Sequence, residues 1–137
     1  MENKITVKAL IETPKSNAWE FYTNPIHIVN WNFAHPSWYC PSAENDMIIG
    51  GKYKARMEAK DESFGFDFEA TYKSIDMGNG FEYEMPNSRR VLVQFMEQGD
   101  STEVIIQFDP EQENSRELQQ QGWQAILNQF KQYAESH

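Results

Sequence analysis

The sequence predicts an α+β domain in which a curved antiparallel sheet of six to seven strands wraps on one long C-terminal helix, with two short helices after strand one. Three observations lead there. Through the middle of the chain, apolar and charged residues alternate in short segments, the pattern of a sheet that is wet on one face. The connections between those segments are short and polar, so neighbouring strands form hairpins. After Asp109-Pro110 the apolar spacing becomes helical and stays so almost to the end.

The first strand is read over Lys4 to Ile11, where Ile5, Val7, Ala9 and Ile11 share a face. Thr13-Pro14 suits a helix start, Thr as cap and Pro in the first turn, and that helix should run to about Thr23. Asn24-Pro25 repeats the device for a second helix to about Asn30, followed by an aromatic loop. Then Tyr53, Ala55, Met57 and Ala59 alternate with Lys54, Arg56, Glu58 and Lys60. Phe64, Phe66, Phe68, Ala70 and Tyr72 alternate with polar partners, and so do Phe81, Tyr83 and Met85. Two more strands are expected over about Arg90 to Glu97 and Thr102 to Phe108. Asn114 and Glu117 resemble a capping box for the last helix, whose inner stripe is read as Leu118, Gly122, Ala125, Ile126, Gln129, Phe130 and Tyr133, with Trp123 and Leu127 on its flank. The apolar sheet face must be covered, and only this helix is long enough to do it.

Length and charge bound the rest. The 137 residues fit a single domain, 1–137, with an aromatic-rich core, since aromatics make up 14% of the chain. Twenty-one acidic residues against twelve basic ones give a formal charge of −9, which disfavours nucleic acid and anionic membranes as partners. One cysteine, Cys40, excludes an intrachain disulfide. No membrane span is expected, because no apolar run is long enough, and Met1-Glu2-Asn3-Lys4 runs into the first strand without an apolar signal segment. The expected location is cytoplasmic.

Several strings in this order resemble one superfamily: Ala18-Trp19, Trp31, Asp46 leading to Gly50-Gly51-Lys52-Tyr53, Gly65-Phe66 with Phe68, Thr102-Glu103-Val104, and Gly122-Trp123 followed by Leu127 and Tyr133. It is the superfamily of START, birch-pollen-allergen and polyketide-cyclase-like domains. Within it the chain is most similar to the C-terminal domain of the activator of the 90-kDa heat-shock-protein ATPase. Trp31-Asn32-Phe33-Ala34 and the stretch from Trp38 to Asp46 look like a bacterial branch of that group. The resemblance covers nearly the whole chain and implies a helix-grip fold with a ligand cavity between sheet and helix. The eukaryotic activator engages the chaperone through a separate N-terminal domain for which these residues leave no room, so a chaperone partner is not expected.

Residues that could carry chemistry are few. Gly50-Gly51 lacks the lysine and Ser/Thr of a phosphate loop and reads as a tight turn. His27, His35, Cys40 and Asp46 match no metal spacing, so no metal ligand and no cofactor are expected. His35 and Cys40 could form a base–thiol pair, but a lone cysteine in an aromatic loop is more often simply packed. No catalytic residue is assigned. Trp31, Phe33, His35 and Trp38 could form the mouth of a cavity or plug one end of the sheet. Tyr53, Met57, Phe66, Phe68, Tyr83 and Phe95 should face the helix by phase, opposite Trp123 and Ile126.

The function expected first is non-catalytic binding of a small hydrophobic or amphipathic molecule, a lipid or aromatic metabolite, between sheet and helix. A cyclase- or hydrolase-type enzyme acting on an aromatic ligand, with His35 or Tyr83 moving the proton, is the second reading. A co-chaperone-like interaction module is the third. A homodimer is compatible with all three. Inward carboxylates would favour the enzyme, yet Asp67, Glu69, Glu82 and Glu84 fall on the wet face, so the balance leans away from catalysis.

Overall fold

Alternation is what fixes the sheet. In the computed structural model, strand β1 (Ile5–Ile11) leads to helices α1 (Lys15–Thr23) and α2 (Pro25–Ile28). Strands β2 (Trp38–Asn45), β3 (Lys52–Ala59), β4 (Gly65–Asp76), β5 (Gly80–Glu84), β6 (Arg90–Gln98) and β7 (Ser101–Phe108) follow, and helix α3 (Arg116–Glu135) ends the fold. The structure describes residues 4–137, so the expectation about a leader at Met1–Asn3 lies outside the described residues. All seven strands form one antiparallel sheet in the order β1-β7-β6-β5-β4-β3-β2. The register carries one apolar row across it: Tyr83 opposes Tyr72 and Val91, and Val91 opposes Phe108. Side chains of period two all reach the concave face in this way. The convex face holds the charges, with Arg56 on Glu58 at 2.9 Å and Arg90 on Glu82 and Glu84 at 3.1 and 3.2 Å. Such exposed pairs contribute little to stability.

The region expected to be an aromatic loop contains the edge strand β2. Its alternation is broken because Tyr39 pairs Glu58 while Ser42 pairs Arg56, leaving Cys40 and Pro41 opposite Met57 alone. This bulge hid the strand from a period-two reading. Gly50 turns the chain into β3 at φ +87°, and a Cβ on Gly51 would lie 2.1 Å from the Asp46 carbonyl oxygen, so both glycines are required by the backbone.

Two caps differ from expectation. Thr13 does not cap α1: its hydroxyl donates to the Ala134 carbonyl of α3 at 3.1 Å, and its own carbonyl accepts from Thr102 Oγ1 at 2.8 Å. The cap of α3 is Ser115, whose Oγ accepts from the Leu118 amide at 3.1 Å, not Asn114. The inner stripe of α3 is also rotated. Leu118 is 55% exposed, whereas Gln119, Leu127, Phe130 and Ala134 are buried. Gln119 can be inside because every polar atom of its amide is used: Nε2 donates to the Glu111 and Asn114 carbonyls and Oε1 accepts from the Glu111 amide.

Helix α3 also closes the sheet on one side. No strand lies beyond β1 among the described residues, but the side chains of Arg116, Gln120, Gln124 and Lys131 donate to the carbonyls of Lys4, Thr6, Lys8 and Leu10. From Arg116 to Gln124 the donors are four residues apart, a rise of about 6 Å that matches the roughly 6.6 Å of two strand residues, so the two repeats keep step there; the long Lys131 side chain makes the last contact from seven residues on.

Candidate functional site

Between α3 and the concave face lies a cavity of about 270 Å³. Its floor is Tyr53, Phe68 and Tyr83 from the sheet, and its roof is Trp123, Ile126 and Leu127 from α3. These rings hold one another: Tyr53 stacks on Tyr83 at 5.6 Å, and Trp123 meets Phe68 edge-on at 6.2 Å and lies flat on Phe108 at 4.3 Å. Tyr22, Trp31 and Asn32 close the end beneath α1 and α2. Trp31 is fixed there by its indole N–H on the Phe21 carbonyl, 2.9 Å, and by edge contact with Phe130.

The opposite end is polar. The β5–β6 hairpin and the β7–α3 connection meet there, because Arg90 pairs Glu84 and Val91 pairs Phe108. They contribute Arg89 and Glu111 to the wall, and the first turn of α3 adds Gln119, beside Met57 and Phe66 of β3 and β4. Phe66 is 41% exposed, which marks this end as the rim.

The deep end carries phenols. The Tyr53 hydroxyl accepts from Asn32 Nδ2 at 3.3 Å, while the Tyr22 and Tyr83 hydroxyls have no hydrogen-bond partner among the described residues. Burial raises the pKa of Tyr22, Tyr53 and Tyr83 well above the ordinary phenol value, so all three stay protonated donors at neutral pH. Burial also pushes the Cys40 thiol up to about 11, against the hydrogen bonds from Ser42 and Asn32 that lower it. A thiol held protonated in this way is a poor nucleophile.

Of the residues expected to form the site, Trp31, Tyr53, Met57, Phe66, Phe68, Tyr83, Trp123 and Ile126 converge on the cavity. Four do not. Phe33 follows a tight turn, its amide donating to the Trp31 carbonyl at 2.8 Å, and lies off the wall. His35 is exposed, with Nδ1 engaged by the Ser37 amide and hydroxyl. Trp38 is pinned opposite Ala59 on the edge strand and packs edge-on against Phe64 and Phe66, so it neighbours the rim without lining it. Phe95 does point inward, but it is sealed under α1 against Trp19 and Tyr22. Phe66 at the hairpin end is exposed, whereas Trp31 at the other end is 2% exposed. Sequence reasoning missed Tyr22, Asn32, Arg89, Ile106, Glu111, Gln119 and Leu127. Ile106 carried a readable signal in its inward phase on β7, and Leu127 one in its place beside Trp123 on the flank of α3. A larger depression of about 520 Å³ around Gly80, Leu92 and Gln94 is open and lies on the side of the sheet away from α3.

A concave antiparallel sheet gripping one long helix across an apolar cavity defines a START/polyketide-cyclase type of domain. The chain belongs to the family described as Activator of Hsp90 ATPase homolog 1-like protein, whose model matches residues 12–135. An AHSA1-like protein of Aeromonas hydrophila shares 35% identity at a TM-score of 0.91, covering 97% of this chain and 92% of that one. A protein of Cytophaga hutchinsonii shares 42% identity at a TM-score of 0.84, covering 98% and 93%. A Chromobacterium violaceum protein at 18% identity and TM-score 0.83, covering 98% and 99%, shares the fold. No functionally curated protein matches the sequence.

Proposed function

We propose that this protein is a cytoplasmic, non-catalytic binder of a small hydrophobic or amphipathic molecule, held between the sheet and α3. The observation that carries the reading is the cavity of about 270 Å³, ringed by aromatic side chains and left unfilled by them. Pockets that take small ligands are apolar with a few placed polar groups, and this one offers the Tyr22 and Tyr83 hydroxyls to a ligand acceptor. The enzyme reading is less well supported. The phenols are held protonated, the thiol is raised, and His35 lies away from the cavity. The interaction-module reading draws on the family description and on the partly exposed Trp38, Phe64 and Phe66 cluster.

Native mass spectrometry of protein from its own host tests the proposal directly: a small molecule should co-purify. That molecule, added to stripped protein at about 100 times its Kd, should stabilise the fold by about 2.7 kcal/mol and alter emission from Trp123. A stripped protein whose melting temperature and emission respond to no apolar compound in a diverse set would shift the balance to the interaction module.

A further inference from the structure

The wall of the cavity holds a guanidinium, that of Arg89, with no carboxylate in direct contact, Glu111 acting on it only through space. Arg89 Nε is buried and has no hydrogen-bond partner, the single such side-chain atom among the described residues. The terminal nitrogens of the same guanidinium reach only neutral acceptors at long range, the Asp109 carbonyl at 3.4 Å and Met85 Sδ at 3.7 Å. No carboxylate lies within ion-pair distance of Arg89 among the described residues, whereas Arg56 and Arg90 each pair with two. The carboxylate that shares the wall, Glu111, is taken by its own loop: it accepts from the Asn114 amide at 2.6 Å and from Asn114 Nδ2 at 2.8 Å. The buried Nε has lost water without gaining an acceptor, and that imbalance is relieved when a carboxylate arrives at the half-buried guanidinium.

We propose that Arg89 makes the cavity selective for monoanionic amphipathic acids, the ligand carboxylate pairing with its guanidinium while the apolar body lies against Phe68, Tyr83 and Trp123. This names the ligand class for the binding function above and rests on it. The head group is a carboxylate and not a phosphate because a single arginine supplies the positive charge, and Glu111 beside it opposes a second negative charge. The body is short, since the cavity of about 270 Å³ has room for roughly nine waters. Burial of the deep phenols leaves them as donors, so a ligand with a polar far end is also accommodated.

Calorimetric titration of the full chain at neutral pH with octanoate, octan-1-ol and octyl phosphate tests the assignment. Octanoate should bind about tenfold or more tighter than octan-1-ol, and R89L should bring octanoate down to the octan-1-ol level. R89K should keep part of the preference. Equal affinity for octanoate and octan-1-ol in the unmodified protein overturns the role of Arg89 while leaving the apolar cavity intact as a binding site. Tighter binding of octyl phosphate than of octanoate overturns the monoanion assignment. Failure of all three to bind removes this inference together with the function it rests on. Should R89L not fold, the comparison of the three compounds on the unmodified protein still decides.

Discussion

Phe130 has no exposed surface and sits where three rings meet, 5.0 Å from both Tyr22 and Trp31. Truncation leaves a hole that neither α1 nor α3 can close, since both are tied to the sheet by other contacts. Phe130→Ala should therefore destabilise the protein by about 3–5 kcal/mol in denaturant titration, and a loss below about 1 kcal/mol would contradict the packing described. At Asp109, burial alone would raise the carboxyl, but the hydrogen bonds from the Arg90 amide and Lys4 Nζ together hold it below the ordinary 3.8. A depressed carboxylate stabilises the fold above the unfolded-state value and stops doing so as pH falls through the folded one. Asp109→Asn should flatten the acid limb of the stability–pH curve below about pH 4 and leave its neutral limb parallel to the parent. Phe130 was legible because helical spacing places it inward. Arg89 was not. Its burial depends on two connections meeting at one end of the sheet, and nothing within either connection encodes that meeting.

The elements were legible where periodicity was unbroken and obscure where one residue interrupted it. Strands β3 to β7 follow from alternation alone, whereas β2 is split by the bulge at Cys40 and Pro41. The stripe on α3 was misread by one position because hydropathy ranks Leu118 above Gln119. A fully bonded amide nevertheless outcompetes a leucine for that inward site. The corrected cap gives a test: Ser115→Ala should cost about 1 kcal/mol by removing the acceptor for the Leu118 amide. The β2–β3 turn gives another. Gly51→Ala must displace the Asp46 carbonyl, so it should lower the melting temperature more than Ser115→Ala does.

At the scale of the whole molecule, the fold class was legible because every level agreed: short hairpins, a one-faced sheet and a terminal helix long enough to cover it. The candidate site was legible only in part. Phase identifies which side chains face inward, but it does not distinguish a ring that fills space from one that borders a cavity. Phe95 and Tyr83 share a phase, yet α1 seals the first and α3 stands off from the second. The net charge gives an expectation independent of the cavity. At −9 the protein should show no saturable, salt-sensitive binding to duplex DNA in an anisotropy titration at physiological salt.

The side-chain fastening of α3 to β1 bears on self-association. A sheet with two bare margins can polymerise by adding copies at either one. Here the β1 carbonyls are already occupied by donors from the same chain, so an incoming strand finds no acceptors in step with its own amides. The outer side of β2, the other margin, has no strand neighbour among the described residues, but Pro41 offers no N–H and the bulge throws its register out. The two margins are thus defended by different means, one by occupation and the other by irregularity. Only the second can be undone by a single substitution, which makes Pro41 the position at which this acidic fold would first be tipped towards fibre-like assembly.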